Sequence, residues 1–265
     1  MGTRAVITGM GAVTPLGLDL AESWTALLGG RSGISPVTGF DTDGLRTRIA
    51  GQISDFDPLD FTDVRTARRY DRFILLALAA ARMALDDSGL AIGMDNTDRV
   101  AVAAGNSLAG AATAEAAARR LAAKGDGVRL SPFCIPGQIG NMASGLVAMQ
   151  TGARGPNLVL NTGCASGAAA LGQALAWIRS GQADAVLAGG SEAAICRQIF
   201  QGYASMQATS ARNHDPVGAS RPFDADRDGF VPAEAGAFLV VESLEAAQER
   251  GARMLAELAG YGATC

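Results

Sequence analysis

The sequence predicts an α/β fold built on a parallel sheet covered on both faces. Residues 157–160 and 184–188 are continuous apolar runs rather than alternating ones, the pattern of strands buried on two sides. Between them, 165–179 is a long Ala-rich segment with helical periodicity, so the three stretches form a β-α-β unit. Composition agrees. Of 265 residues, 48% are apolar and 18% charged, which excludes disorder and allows a large core, while 34 glycines point to close packing between helices and sheet.

Taken in order, residues 3–8 read as an opening strand that runs into Gly9-Met10-Gly11-Ala12-Val13-Thr14-Pro15. The two glycines resemble the start of a dinucleotide-binding turn. The third is replaced by Thr14, and Pro15 interrupts the helix such a turn requires, so no nicotinamide or flavin cofactor is expected. A short helix follows over 19–29, starting near Asp19, with Trp24, Leu27 and Leu28 as its apolar face and Gly29-Gly30 as its stop. Residues 31–66 are turn-rich, with one short strand at 48–53. Asp71 to Ser88 is a helix with Phe73, Leu76, Ala80, Met83 and Leu85 on or near one side and Gly89 as its cap. Val100–Ala104 reads as a buried strand and Ala111–Lys124 as a helix. Ser131–Pro136 is a proline-bracketed loop, and a further helix covers 139–151. After the β-α-β unit comes a polar stretch, 209–229. Strands are expected at 229–232, 236–242 and 253–260, with a helix at 243–250. The chain ends five residues past its last predicted strand with no closing helix, and is read as incomplete.

Several function classes are excluded. No apolar run reaches membrane-spanning length and the N-terminus enters a strand directly, so neither a membrane span nor a signal peptide is expected. A net charge of −4 gives no sign of a nucleic-acid partner. Cys134, Cys164, Cys196 and Cys265 are scattered without a C-x-x-C, which suits a cytoplasmic protein without disulfides. With one histidine, His214, and no cysteine cluster, no metal site is expected.

The chemistry concentrates at Asn161-Thr162-Gly163-Cys164-Ala165-Ser166-Gly167. A strand, a sharp turn and a helix place a cysteine where the helix begins. Backbone donors and the dipole there favour a thiolate, and the same donors can serve an oxyanion. Cys164 is therefore a candidate nucleophile, with an inert buried thiol as the alternative. His214 sits in a polar turn and reads as solvent-exposed rather than as a base. Glu192 and Glu234 lie in apolar surroundings and read as buried carboxylates paired with arginine. Asp224, Asp226, Arg227 and Asp228 read as a charged turn network, since calcium-loop spacing is missing. Arg65, Arg68, Arg69 and Arg72 cluster at a helix start, against the dipole; they form either a solvated face or a docking patch for an acidic, phosphate-bearing partner.

Together these residues resemble the elongating β-ketoacyl-acyl-carrier-protein synthases, including those of type II polyketide synthesis. The likeness rests on Val6–Gly11 with Thr14–Gly17, Arg69–Phe73, Asn106-Ser107, Ser131–Phe133 with Ile135-Pro136, Gly155–Asn157, Thr162–Gly167, Ala188–Ala193, and Ala219–Asp224 through Arg227–Val231. It spans the whole chain.

The resemblance implies the thiolase-like fold, in α-β-α-β-α layers. Residues 1–250 would form the N-terminal half and 251–265 the start of the C-terminal half. It implies an acyltransferase in which Cys164 takes an acyl group from a carrier-protein thioester and condenses it with decarboxylating malonyl. Two histidines, a lysine and a second oxyanion amide would come from the second half, so the chain alone is expected to be inactive. Leu108 and Phe133 match acyl-pocket positions, and Arg65, Arg68 and Arg69 a carrier-docking patch. The partners implied are the acyl carrier protein, which brings the phosphopantetheine, and a second subunit in a homo- or heterodimer; no resident cofactor is implied. The alternatives are a non-catalytic partner of a complete synthase, or a cysteine acyltransferase without condensation. Ala233-Glu234-Ala235-Gly236-Ala237 departs from the family's glycine-rich turn, where alanine at positive φ would be strained. Cys196, Arg197 and Gln198 also replace a smaller, proline-containing segment.

Overall fold

The computed structural model describes residues 3–125 and 127–264; Met1, Gly2, Asp126 and Cys265 lie outside the described residues. In chain order, β1 (Ala5–Val13) and α1 (Leu20–Leu28) are followed by the paired β2 (Ile34–Pro36) and β3 (Ile49–Gly51), the single turn α2 (Val64–Ala67), the long α3 (Arg72–Ser88), β4 (Val100–Gly105) and α4 (Ala111–Lys124). Then come α5 (Met142–Thr151), β5 (Asn157–Leu160), α6 (Ser166–Arg179), β6 (Ala185–Glu192), α7 (Arg197–Ser205), β7 (Ala235–Ser243), α8 (Leu244–Glu249) and β8 (Ala256–Glu257).

Six strands form the main sheet in the order β5-β4-β6-β7-β1-β8. The expected parallel sheet exists only in part. β5, β4 and β6 are parallel, whereas β7 is antiparallel to both β6 and β1, and β8 is antiparallel to β1. A continuous apolar run says nothing of strand direction, so the mixed sheet reads like a parallel one. At the sheet edge β5 is exposed at Asn157 and only half-buried over 158–160, which corrects its expected burial on both faces. One face carries α3 and α5 over a core that includes Phe73, Leu146 and Phe238; the other carries α6, with Trp177 and Ile178.

β1 is longer than its predicted span because its glycines are strand residues. A Cβ on Gly9 would lie 2.2 Å from the Ala84 carbonyl oxygen, and one on Gly11 would lie 2.2 Å from that of Ala80. On the neighbouring strand β7, a Cβ on Gly236 would stand 2.6 Å from the Leu76 carbonyl oxygen. The glycines thus let α3 lie directly on the strand backbones. From Phe73 to Ala81 every residue of α3 is buried, so this helix has no polar side in its first half and its single expected apolar side is corrected.

Other expectations also change. Asp19 caps α1 through the Glu22 amide, as predicted, but the apolar face is reversed: Trp24, Leu27 and Leu28 are exposed while Ser23 and Ala26 are buried. Small residues suit the narrow gap over β1, and the large ones are left outside. The stretch 229–232 forms no strand, only a bridge from Phe230 to Thr209, and 253–260 contributes just two strand residues. The helix expected from 139 begins at Met142, after tight turns from Met142 N to Ile139 O and Ala143 N to Gly140 O. None of Ala233, Ala235 and Ala237 has positive φ; the last two lie within β7, so the expected strain is absent.

A buried charge network joins the sheet to the helices. Glu242, 1% exposed on β7, receives Arg250 through two bonds of 2.8 and 2.6 Å and also accepts from the Thr8 hydroxyl. Arg250 also donates to Ser88 O at the end of α3. Removing one partner of such a pair leaves an uncompensated charge, which costs about 3–5 kcal/mol. Arg250→Met is expected to lose about 3 kcal/mol in urea denaturation. Arg253→Ala, which breaks the exposed pair with Asp87, should lose less than about 1 kcal/mol.

Candidate active site

The site is built where β5 turns into α6. Gly163 takes φ +62°, the left-handed conformation that lets the chain reverse at once. The turn closes with Ala165 N donating to Thr162 O (3.3 Å) and Ser166 N donating to Gly163 O (3.2 Å). These two helix-start amides are therefore already committed to the turn and are not among the donors expected to serve an oxyanion. The Ser166 hydroxyl accepts from Thr162 N (2.9 Å) and faces the carbonyls of Gly163 (2.6 Å) and Asn106 (3.1 Å). It ties the turn to the end of β4.

The turn is seated by backbone contact. A Cβ on Gly105 would lie 2.3 Å from the Ser166 carbonyl, and one on Gly190 would lie 3.3 Å from Gly167 Cα. Cys164 is left exposed at the carboxyl ends of three parallel strands, the usual place for a ligand in such sheets. It opens into a cavity of about 680 Å³ whose wall includes Leu108, Glu192, Tyr203, Phe230 and Leu239. Because Gly9 and Gly11 face α3, alternation turns Met10 and Ala12 to the opposite face, where both line this cavity. The wall is mainly apolar, with the Cys164 thiol, the carboxyls of Glu192 and Glu234 and the Tyr203 phenol among its polar groups.

The two carboxylates part company: Glu234 is buried, whereas Glu192 is half-buried, which corrects its expected full burial. Glu234 pairs with Arg72 as expected, at 2.8 and 3.0 Å, and accepts from Ile53 N. Among the described residues no arginine pairs with Glu192, which corrects that expectation. Its Oε2 accepts instead from Ser107 N (2.9 Å) and Leu108 N (2.7 Å), and burial pushes its carboxyl above the usual range. Burial likewise raises the Tyr203 phenol, with the charges of Cys164 and Glu192 adding to the effect.

Residues 3–247 match the sequence profile of the family described as "Beta-ketoacyl synthase, N-terminal domain". The chain belongs to the β-ketoacyl synthase family. It is 45% identical over 262 residues to the 3-oxoacyl-[acyl-carrier-protein] synthase 2 of Synechocystis sp., covering 99% of this chain and 63% of that protein. The Coxiella burnetii protein of the same name is 43% identical over 259 residues, covering 98% of this chain and 62% of that protein. Among solved structures, the ishigamide ketosynthase/chain length factor superposes with a TM-score of 0.89 at 32% identity, covering 99% of this chain and 64% of that one. A type II polyketide ketosynthase, AntDE, bound to its acyl-carrier protein AntF, matches with a TM-score of 0.85 at 33% identity, covering 98% and 62%. The chain thus spans a little under two thirds of the length of these relatives. The fold is the thiolase-like fold of these ketosynthases.

Within this ketosynthase domain, Cys164 and Leu108 share the cavity, and Phe133 does not line it. Phe133 is half-buried on its turn, beneath the Arg69 guanidinium at 4.2 Å from the ring centroid. Arg65 and Arg68 project from α2 and its end as exposed side chains, while Arg72 is withdrawn into its pair with Glu234. His214 is exposed on its turn and lies outside the cavity wall. The charged stretch near 224–228 is the expected turn network, with Arg227 bonded to Asp224 O and Arg212 facing Asp228. Among the described residues there is no cluster of three metal-ligating side chains, and no helix is long and apolar enough to cross a membrane. Tyr203 was not anticipated; nothing in the pattern of α7 sets it apart.

The ketosynthase cysteines differ sharply in environment. Cys164 is exposed, whereas Cys196 is 7% exposed and burial pushes its thiol up to about 11. At pH 8 the thiolate of Cys196 is then on the order of one part in a thousand. Brief iodoacetamide treatment at pH 8 should label Cys164 and leave Cys196 unlabelled, with Cys196 reacting only above about pH 10 or after unfolding. Peptide mass spectrometry reads both sites.

Proposed function

We propose that the chain carries the acyl-accepting step of a β-ketoacyl-acyl-carrier-protein synthase in fatty-acid or polyketide synthesis. The observation that carries this reading is the exposed Cys164 on a backbone-seated turn, opening into a mainly apolar cavity. Its sulfur attacks the carbonyl carbon of an acyl thioester. The carbon–sulfur bond to the phosphopantetheine arm breaks, the arm leaves as a thiol with the proton, and the acyl chain stays on Cys164. In the condensation that follows, a malonyl thioester loses carbon dioxide and its carbanion attacks the acyl carbon. Cys164 is then expelled as a thiolate, and the product is a β-ketoacyl thioester two carbons longer. Leu108 serves as part of the acyl wall, and Phe133 supports the docking face through its contact with Arg69.

Arg65, Arg68 and Arg69 form the carrier-docking patch in this reading. Among the described residues none of the three makes an ion pair such as the one that occupies Arg72, and a carrier protein rich in acidic residues suits them. We assign the protein to the cytoplasm, in keeping with the three free cysteines among the described residues. Pairing of subunits would use β5, an edge strand whose other side is paired only to β4.

Intact-mass measurement of the full-length protein with octanoyl-acyl-carrier protein tests the assignment. One octanoyl adduct is expected, lost in Cys164→Ala. A protein that gains no adduct overturns the enzyme reading and leaves a non-catalytic partner of a complete synthase. The docking patch makes a separate prediction. Arg65→Glu combined with Arg68→Glu should slow acylation from the carrier protein about tenfold and leave acylation from a small N-acetylcysteamine thioester unchanged.

A further inference from the structure

Two energetic costs meet at one corner of the Cys164 cavity. Ala109 sits at φ +47°, a left-handed conformation that is strained for a residue with a Cβ. Glu192 Oε1 is buried with no hydrogen-bond partner among the described residues. A buried polar atom left unpaired costs about as much as a lost hydrogen bond, and a carboxyl kept only for stability would be expected to satisfy both oxygens. The same corner contains the two short bonds from Ser107 N and Leu108 N to Glu192 Oε2. The loop is also held at Ser107 O by the Asn161 amide (3.0 Å) and at Asn106 O by the Ser166 hydroxyl. Just beyond it, a Cβ on Gly110 would lie 2.3 Å from Gln138 Cα, so the loop cannot move as a body in that direction. Strain and anchors therefore oppose each other across Leu108.

We propose that Glu192 is a positioning residue that sets acyl-chain selectivity by clamping the Ser107–Leu108–Ala109 turn and thereby fixing Leu108 as a wall of the cavity. This rests on the proposed function, since it assigns the cavity to an acyl chain. The carboxylate does not touch the reacting atoms. Its two charge-assisted bonds hold the backbone against the relaxation that Ala109 favours. A fixed Leu108 excludes the far end of a long chain, whereas a released one retreats and admits it. A glutamine at 192 keeps one carbonyl oxygen able to accept both amides; an alanine keeps none.

The test compares wild type, Glu192→Gln and Glu192→Ala in the full-length protein, using octanoyl- and hexadecanoyl-acyl-carrier protein. Adduct formation on Cys164 is followed by mass, and amide exchange by peptides spanning 105–110. In Glu192→Ala the loading ratio is expected to move about tenfold toward hexadecanoyl, with faster exchange at Ser107 and Leu108. Glu192→Gln is expected to retain both the ratio and the slow exchange. A general loss of structure would slow both chains equally and leave the ratio alone. If wild type loads neither chain, the acyl-transfer reading fails and takes this inference with it. If wild type loads normally and Glu192→Ala keeps its ratio, or if the 107 and 108 amides stay protected, the clamp alone is overturned.

Discussion

Where the Ser166 backbone lies against Gly105, and Gly167 against Gly190, the start of α6 is seated on the ends of β4 and β6 with no side chain between them. That contact fixes the height and direction of the turn, and the turn fixes Cys164. The rest of the site follows from it. The Ser166 hydroxyl can reach Asn106 O only because the two backbones are so close, and this bond links the nucleophile's turn to the loop that carries Leu108. A side-chain contact could have given way by a change of rotamer. Here the adjustable part of the site lies in the cavity wall and the rigid part beneath it.

The protein solves the problem of buried carboxylates in several ways, and each solution marks a different task. Glu242 and Glu234 take arginines in forked geometry and tie distant segments together, Glu242 joining β1, α3 and α8, and Glu234 joining β3's neighbourhood to the start of α3. Asp71 caps α3 and accepts from both the amide and hydroxyl of Thr113, with burial raising its carboxyl above the ordinary range. Glu192 alone among these four relies on main-chain amides at the cavity and leaves an oxygen unpaired. Ion pairs hold the scaffold, and the least satisfied group stands beside the cysteine.

Much of this was legible in the sequence. The apolar runs around 157–160 and 184–188, the Gly-Cys turn, the helix start near Asp19 and the Gly89 cap all have local causes, so they could be read locally. What escaped depended on distant partners. The direction of β7 leaves no trace in its hydrophobicity, because burial on two faces looks alike in either direction. Trp24, Leu27 and Leu28 read as an inward face, yet the space over β1 admits only Ser23 and Ala26. Glu192 read as a buried carboxylate paired with arginine, yet it is half-buried and its partners are amides about 85 positions earlier, which carry no residue signature. Gly9 and Gly11 stood out in a pattern that resembles a nucleotide turn; only the packed helix shows that their small size serves α3.

The seam between α3 and strands β1 and β7 also constrains how such a protein can diverge. Every amino acid except glycine brings a Cβ, so at Gly9, Gly11 and Gly236 no point mutation is a small step: each one pushes an atom into a carbonyl. A lineage cannot explore that seam gradually, and a coordinated shift of helix and strands would be needed to accept any change. The cavity wall is different. Positions such as Leu108, Tyr203 and Leu239 border open space, where an added or lost atom does not run into a packed backbone. Inheritance is therefore locked at the backbone seam and free at the pocket, which lets one scaffold diversify its cargo while its architecture stays still.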